Sequence, residues 1–87
     1  MDRRHDNTLT DRLEDALLHG CSHITWAELY LWYGVKKIAA GTWRDLAQRW
    51  QELTHGKEGQ LMQIPGRDGI FIFAENKAKA VSPYGDE

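Results

Sequence analysis

Three segments of this chain begin with a threonine that stands three residues before a carboxylate, and each segment continues with helical spacing of apolar residues. The pairs are Thr8 with Asp11, Thr25 with Glu28, and Thr42 with Asp45. In a capping box the threonine hydroxyl accepts from the third backbone amide of the helix, and the acid reaches back to the threonine amide. The pattern predicts three helices. They run from Leu9 to His19, from after Thr25 to Gly34, and over residues 42–54.

The apolar spacing also assigns the inward faces of these helices. In the third helix the inward residues are Trp43, Leu46, Ala47, Trp50 and Leu53. Trp43 and Trp50 have a second interpretation as stacking platforms for single-stranded bases, but their spacing with the leucines favours the core. The connection over residues 35–41 is either a turn or a continuation of the second helix.

After the third helix the apolar pattern changes to short β-favouring runs. Residues 61–64 and 70–73 are separated by five residues that end in Asp68-Gly69, which predicts an antiparallel hairpin. A hairpin is marginal alone and must pack on the helices. Residues 22–24 are a candidate third strand at its edge. We therefore predict one α+β domain over residues 8–75, with a flexible N-terminus at 1–7 and a flexible C-terminal tail at 76–87.

Composition narrows the possible classes of function. The chain has 87 residues and a single cysteine, so it forms one domain and has no intrachain disulfide. Its longest apolar run is too short for a membrane span or a signal peptide, which predicts a cytoplasmic protein. The sequence shows no nucleophile with a plausible base and no glycine-rich phosphate loop. It also shows no pair of carboxylates at the spacing of an active site. We expect no enzyme activity and no cofactor.

Two histidines and the cysteine, at His19, Cys21 and His23, lie close enough in sequence to suggest a metal site. Zinc needs three or four ligands in defined geometry, and only His5 and His55 remain to complete a set. The competing interpretation is a helix C-terminus followed by a strand. We therefore predict no metal.

Charge is unevenly distributed along the chain. The formal net charge is −2, which argues against a protein that coats nucleic acid by charge alone. Residues 1–30 contain three basic and six acidic residues, whereas residues 35–50 contain four basic residues and one acidic residue. The positive charge is concentrated around the start of the third helix.

The predicted order of helix, short strand, two helices and hairpin resembles the winged helix-turn-helix superfamily. Residues 25–34 correspond to the first helix of the motif, residues 42–53 to the recognition helix, and residues 61–73 to the wing. The resemblance covers residues 8–75 and is one of architecture. It implies that the third helix enters the DNA major groove while the wing touches backbone or minor groove. The connection over residues 35–41 is longer than a simple turn of this motif, and the wing carries one cation, Arg67.

The resemblance implies duplex DNA as the partner and a small transcriptional regulator as the function. Arg44 and Gln48 suit base-edge contacts. Lys36, Lys37 and Arg49 would lie near phosphates, and Thr42 with the helix N-terminus would add a phosphate contact through backbone amides. The expected DNA-binding residues are Lys36, Lys37, Thr42, Arg44, Gln48, Arg49, Gln51 and Arg67. The alternative for the polar residues of the helix is a merely solvated outer face, which Glu52 favours because it would repel phosphate.

A second hypothesis is a winged-helix protein-interaction module, an adaptor or small inhibitor that does not bind DNA. Leu31 and Trp32 fall outside the apolar stripe of the second helix, so they are either covered within the domain or form a patch for a protein partner or a second copy. Phe71 and Phe73 alternate with Ile70 and Ile72, which leaves one apolar face of the last strand as another candidate contact surface. A homodimer would suit DNA binding, because one such module buries little surface on DNA.

Overall fold

The computed structural model describes residues 1–79 and 81. Within these residues three α-helices pack on a three-stranded antiparallel sheet, so the fold class is α+β. In chain order the elements are α1 (Arg3–His19), β1 (Ser22–Thr25), α2 (Trp26–Tyr33), α3 (Ala40–Thr54), β2 (Leu61–Pro65), β3 (Gly69–Ala74) and a 3-10 turn η1 (Glu75–Lys77). The predicted tail at 76–87 overlaps η1 at its start, and residues 80 and 82–87 lie outside the described residues.

Helix α2 begins with the capping box that the sequence predicts. The Glu28 amide donates to the Thr25 hydroxyl at 3.1 Å, and the Thr25 amide donates to the Glu28 carboxylate at 3.0 Å. Gly34 ends the helix in the left-handed conformation at φ 62°, which glycine adopts without steric cost. Both ends of α2 are therefore confirmed.

The other two threonines do not cap helices, and the predicted starts of α1 and α3 are wrong. Helix α1 begins at Arg3, capped by Asp2, whose carboxylate accepts from the Arg4 amide at 2.7 Å. Thr8 lies inside α1 and donates its hydroxyl to the Arg4 carbonyl at 2.9 Å. Threonine can satisfy its hydroxyl on the preceding turn, so a threonine three residues before an acid does not by itself mark a helix start. Residues 3–7, predicted to be flexible, are helical.

The sheet has the order β1-β3-β2, which confirms the candidate third strand. Strand β1 pairs with β3 from Ser22 opposite Ile72 to Thr25 opposite Gly69, and β2 pairs with β3 along its whole length. The inner face of the sheet packs on the helices. The buried apolar residues of the core are Leu9, Leu13, Ala16, Ile24, Leu29, Trp32, Leu46, Trp50, Ile70, Ile72 and Ala74.

Among the described residues, no helix combines the length and apolar character needed to cross a membrane.

Candidate nucleic-acid interface

The outward face of α3 carries the polar side chains that the sequence assigns to it. Arg44, Gln48 and Gln51 are all exposed. The Gln48 amide is 3.4 Å from the Glu52 carboxylate, and the Gln51 amide donates to the Gly59 carbonyl at 3.1 Å. Within residues 1–79 and 81, no carboxylate forms an ion pair with Arg44. Its guanidinium is therefore available to a partner.

An open aromatic depression lies between α2 and the start of α3, next to Arg44. It is lined by Trp26, Tyr30, Lys37, Ile38 and Trp43. The two indoles meet edge to face with ring centroids 6.5 Å apart. Both tryptophans are partly buried rather than fully enclosed, so the depression has an apolar floor and a lysine at its rim. Apolar periodicity predicts that a side chain turns inward, but it does not distinguish a half-buried indole from a buried one.

The hairpin turn lies against this depression instead of projecting from the sheet. The Trp26 amide donates to the Asp68 carbonyl at 3.0 Å, and its indole nitrogen donates to the Gly66 carbonyl at 2.9 Å. Arg67 is exposed between these two anchored residues. The short, anchored hairpin turn thus brings its one cation to the start of α2, beside Trp26.

These placements define one basic surface, formed by Lys36, Lys37, Arg44, Gln48 and Arg67. Its members come from the α2–α3 connection, the outward face of α3 and the hairpin turn, and one of them, Lys37, lines the aromatic depression. All are exposed. Four of the eight predicted DNA-binding residues are cations on this surface, and no described carboxylate lies in ion-pair contact with any of the four.

Arg49 does not join the basic surface, although the sequence suggests a phosphate contact for it. Its guanidinium donates to Asp45 at 2.7 Å and also forms an ion pair with Asp6 of α1. Burial opposes the charge, but these hydrogen bonds outweigh burial and raise the pKa of Arg49. The Tyr33 hydroxyl also donates to Asp45, at 2.6 Å, and burial together with this bond raises the pKa of Tyr33. Arg49 fastens α1 to α3, a role hidden from the sequence because α1 starts earlier than predicted.

Thr42 is also misplaced by the sequence interpretation. Because α3 begins at Ala40, Thr42 lies in its first turn with its side chain turned inward and only 6% exposed. Its amide donates to the Ala39 carbonyl at 3.0 Å. The buried side chain and the bonded amide of Thr42 therefore do not favour the predicted phosphate contact through its amide.

Leu31 and Trp32, which the sequence suggests as a joint contact patch, differ in exposure. Leu31 is 62% exposed, whereas Trp32 is 4% exposed and belongs to the core. The Arg12 guanidinium lies 5.5 Å from the centre of the Trp32 ring, a cation–π distance. Of the two interpretations left open for Trp32, coverage within the domain is confirmed.

Arg12 joins α1, β1 and α2 at one point. It donates to both carboxylate oxygens of Glu28, at 2.8 and 2.5 Å, and to the His23 carbonyl at 2.9 Å. The hydrogen bond from Arg12 lowers the pKa of Glu28 to about 2, against burial, which raises it. This ion pair holds the start of α2, and with it Trp26, in place.

The Glu28 pKa predicts a loss of stability in acid. The pKa is about 2 in the folded chain and 4.5 when unperturbed, so the unfolded chain takes up the proton first as the pH falls. The stabilisation is complete above about pH 5 and disappears towards pH 2; we expect it to amount to about 1–2 kcal/mol, since the pair is partly exposed. Urea unfolding at about pH 6 and pH 3 would measure it. Glu28→Gln should be less stable than the parent chain at the higher pH and lose less on acidification.

The exposed residue Glu14 on α1 offers a matched control, because Glu14→Gln makes the same chemical change away from Arg12. Its unfolding should keep the pH dependence of the parent chain. An identical pH dependence for Glu28→Gln and the parent chain would contradict the assignment.

The histidines and cysteine near the end of α1 do not form a metal site. Among the described residues, no three His, Cys, Asp or Glu side chains are grouped so that they could hold a metal ion. The His23 ring instead packs on Phe71 with centroids 4.6 Å apart.

Comparison of the chain with protein-family models, with curated proteins and with solved structures found no match.

Proposed function

We propose that the chain is a winged helix-turn-helix module that binds duplex DNA, with α3 in the major groove and the hairpin turn against the backbone. The element order supports this proposal, because a strand between the first two helices pairs with the second strand of a C-terminal hairpin. In this class of fold the second helix of the motif reads base edges. A small transcriptional regulator is the function that this arrangement suits.

The observation that carries the proposal is the unpaired basic surface. Arg12 and Arg49 are held in ion pairs within the fold, whereas the cations of the basic surface face solvent. Arg44 offers the bidentate donor geometry that matches guanine, and Gln48 matches adenine. Lys36 and Lys37 flank the helix where phosphates would pass, and Arg67 lies on the other side of the aromatic depression. Glu52 at 3.4 Å from Gln48 limits the reading face to the N-terminal half of α3.

We expect Arg44→Ala to weaken binding to the preferred duplex by about tenfold or more and to relax base preference at one position. Lys36→Ala should weaken binding to all sequences alike and reduce the slope of log affinity against log salt by about one. Selection from a random duplex library followed by fluorescence anisotropy at several salt concentrations would measure both effects.

Arg3→Ala is the matched control for Arg44→Ala. Arg3 is an exposed arginine on α1, so its removal changes the net charge equally and leaves the basic surface intact. Its affinity and base preference should equal those of the parent chain. If Arg44→Ala and Arg3→Ala behave alike, α3 is not the reading element.

A protein-interaction module is a second candidate, favoured by the outer face of the sheet. On this face Met62, Ile64 and Phe71 are 38%, 57% and 49% exposed, which is a contiguous apolar surface because Ile64 and Phe71 are paired across β2 and β3. Such a patch is typical of protein contacts. Absence of salt-sensitive binding to mixed-sequence duplex at micromolar protein would favour this candidate over DNA.

A further inference from the structure

Strand β2 has a free edge whose backbone groups can be assigned from the register. Gly66 donates to Gly69 at 2.8 Å and Glu75 donates to Gln60 at 2.9 Å, and hydrogen-bonded pairs alternate along an antiparallel ladder. Met62 and Ile64 therefore bond to β3, whereas the backbone groups of Leu61, Gln63 and Pro65 point away from it. Among the described residues, no hydrogen bond reaches the outward amides of Leu61 and Gln63.

The two edges of the sheet differ in their protection. At β1 the Arg12 guanidinium covers the edge by donating to the His23 carbonyl at 2.9 Å. Residues 59–66, which contain β2, include no charged residue, and residues 62–65 are all exposed. Natural edge strands are normally blocked by charge, by proline, by a bulge or by covering. Pro65 blocks the last outward position of β2, but the outward backbone groups of Leu61 and Gln63 have no such block, so this part of the edge is suited to pairing with another strand.

A groove beside this edge would receive side chains from such a strand. The groove has a volume of about 210 Å³ and is lined by Trp43, Leu46, Ala47, Leu61, Gln63, Ile70 and Ile72. It lies between α3 and the inner face of the sheet, the face to which Leu61, Gln63 and Pro65 direct their side chains. An added strand would place every second side chain on this face.

We propose that two copies of this chain associate through their β2 strands, which run antiparallel with Gln63 opposite Gln63 of the second copy. In this register the Gln63 backbones exchange hydrogen bonds, and the Leu61 amide donates to the carbonyl of Pro65 of the second copy. Pro65 has no amide hydrogen, so the Leu61–Pro65 pair forms one hydrogen bond instead of two and the Leu61 carbonyl receives no backbone donor. The proline ring of each copy then enters the groove of the other beside Leu61.

The lack of charge on β2 is also compatible with a second copy as the occupant. A two-fold axis brings identical residues together, so a strand that carries charge would repel itself at the axis. The uncharged β2 pairs with itself without that repulsion. On the outer face Met62 of one copy meets Ile64 of the other, and the exposed apolar surface of each sheet becomes continuous. The proposal does not depend on DNA binding.

The test uses the residue that meets itself at the axis. Gln63→Lys and Gln63→Glu each place like charges opposite one another, while an equal mixture of the two variants places opposite charges there. The backbone amide of residue 63 points away from β3, so neither change removes a hydrogen bond within the sheet. Sedimentation velocity over a concentration series measures the association of each sample.

We expect the parent chain to dimerise with a dissociation constant on the order of 10 µM, as for a small interface. Each single variant should weaken the dimer by about tenfold or more, and the mixture should restore it. Asn7→Lys, an exposed position on α1, adds the same charge as Gln63→Lys and should dimerise like the parent chain. A monomeric parent chain overturns the proposal. So does a dimer that tolerates both Gln63 variants, or a mixture that associates no better than the variants alone.

Discussion

Gly69→Ala is expected to lower the free energy of unfolding by about 3 kcal/mol, the cost of forcing an atom into closely packed backbone. A Cβ at this position would lie 2.1 Å from the Ile24 carbonyl oxygen and 2.6 Å from the Thr25 Cα. Both atoms belong to β1, which pairs with β3 at this point. The clash is with backbone, so no side-chain rotation relieves it and β1 must move away from β3. Urea unfolding followed by circular dichroism would measure the change.

Gly66→Ala is the matched control, since it adds the same methyl group to the other end of the hairpin turn. Its Cβ would meet only the Gly69 carbonyl oxygen, at 3.7 Å, which is an ordinary contact distance. We expect its stability to stay within about 0.5 kcal/mol of the parent chain. An equal loss in both variants would show that the turn needs glycine for flexibility and that the close approach of β1 to β3 is not the cause.

The fold class was predictable because local signals and global packing agree. The hairpin, the third strand at residues 22–24 and the capped start of α2 were all present as patterns of residue type. The starts of α1 and α3 were mispredicted for one reason. Thr8 and Thr42 have the residue types of a cap, but a threonine three residues before an acid also occurs inside a helix. Asp2 caps α1 further upstream, and α3 starts at Ala40 without a side-chain cap.

The sequence predicts those residues of the candidate site whose role depends only on being exposed to solvent. Arg44 and Gln48 follow from the helical wheel, and both are exposed. The sequence also suggests a phosphate contact for Arg49, but it cannot show that Asp6 of α1 forms an ion pair with Arg49. Contacts between elements distant in sequence place Arg49 in ion pairs and leave Arg44 exposed. The free edge of β2 was similarly hidden, because it depends on the sheet order and the register.

Trp50→Ala is expected to cost about 4 kcal/mol of unfolding free energy, among the largest losses available to a single substitution in this core. Trp50 is fully buried in the core. Its indole nitrogen donates to the Gly59 carbonyl at 3.2 Å, but that carbonyl also accepts from Gln51 at 3.1 Å. The carbonyl keeps a partner after the substitution, so the loss arises from packing and the cavity left behind. Thermal unfolding and urea unfolding would measure the loss of stability. In urea the midpoint should fall while the slope of free energy against urea concentration stays constant.

Trp43→Ala removes the same type of side chain from the same helix, two turns earlier. It should lower the free energy of unfolding by only about 1–2 kcal/mol. The cost is smaller because removing a half-buried side chain opens space to water instead of leaving a void. Trp43 lines both the aromatic depression and the groove beside β2, so it already borders solvent on two sides. If the two variants lost equal stability, Trp43 would be a core residue and the depression would not be an accessible surface. A smaller loss for Trp43→Ala would indicate that the Trp43 indole of the parent chain is accessible to a partner. Its spacing with Leu46 and Trp50 alone does not predict this accessibility.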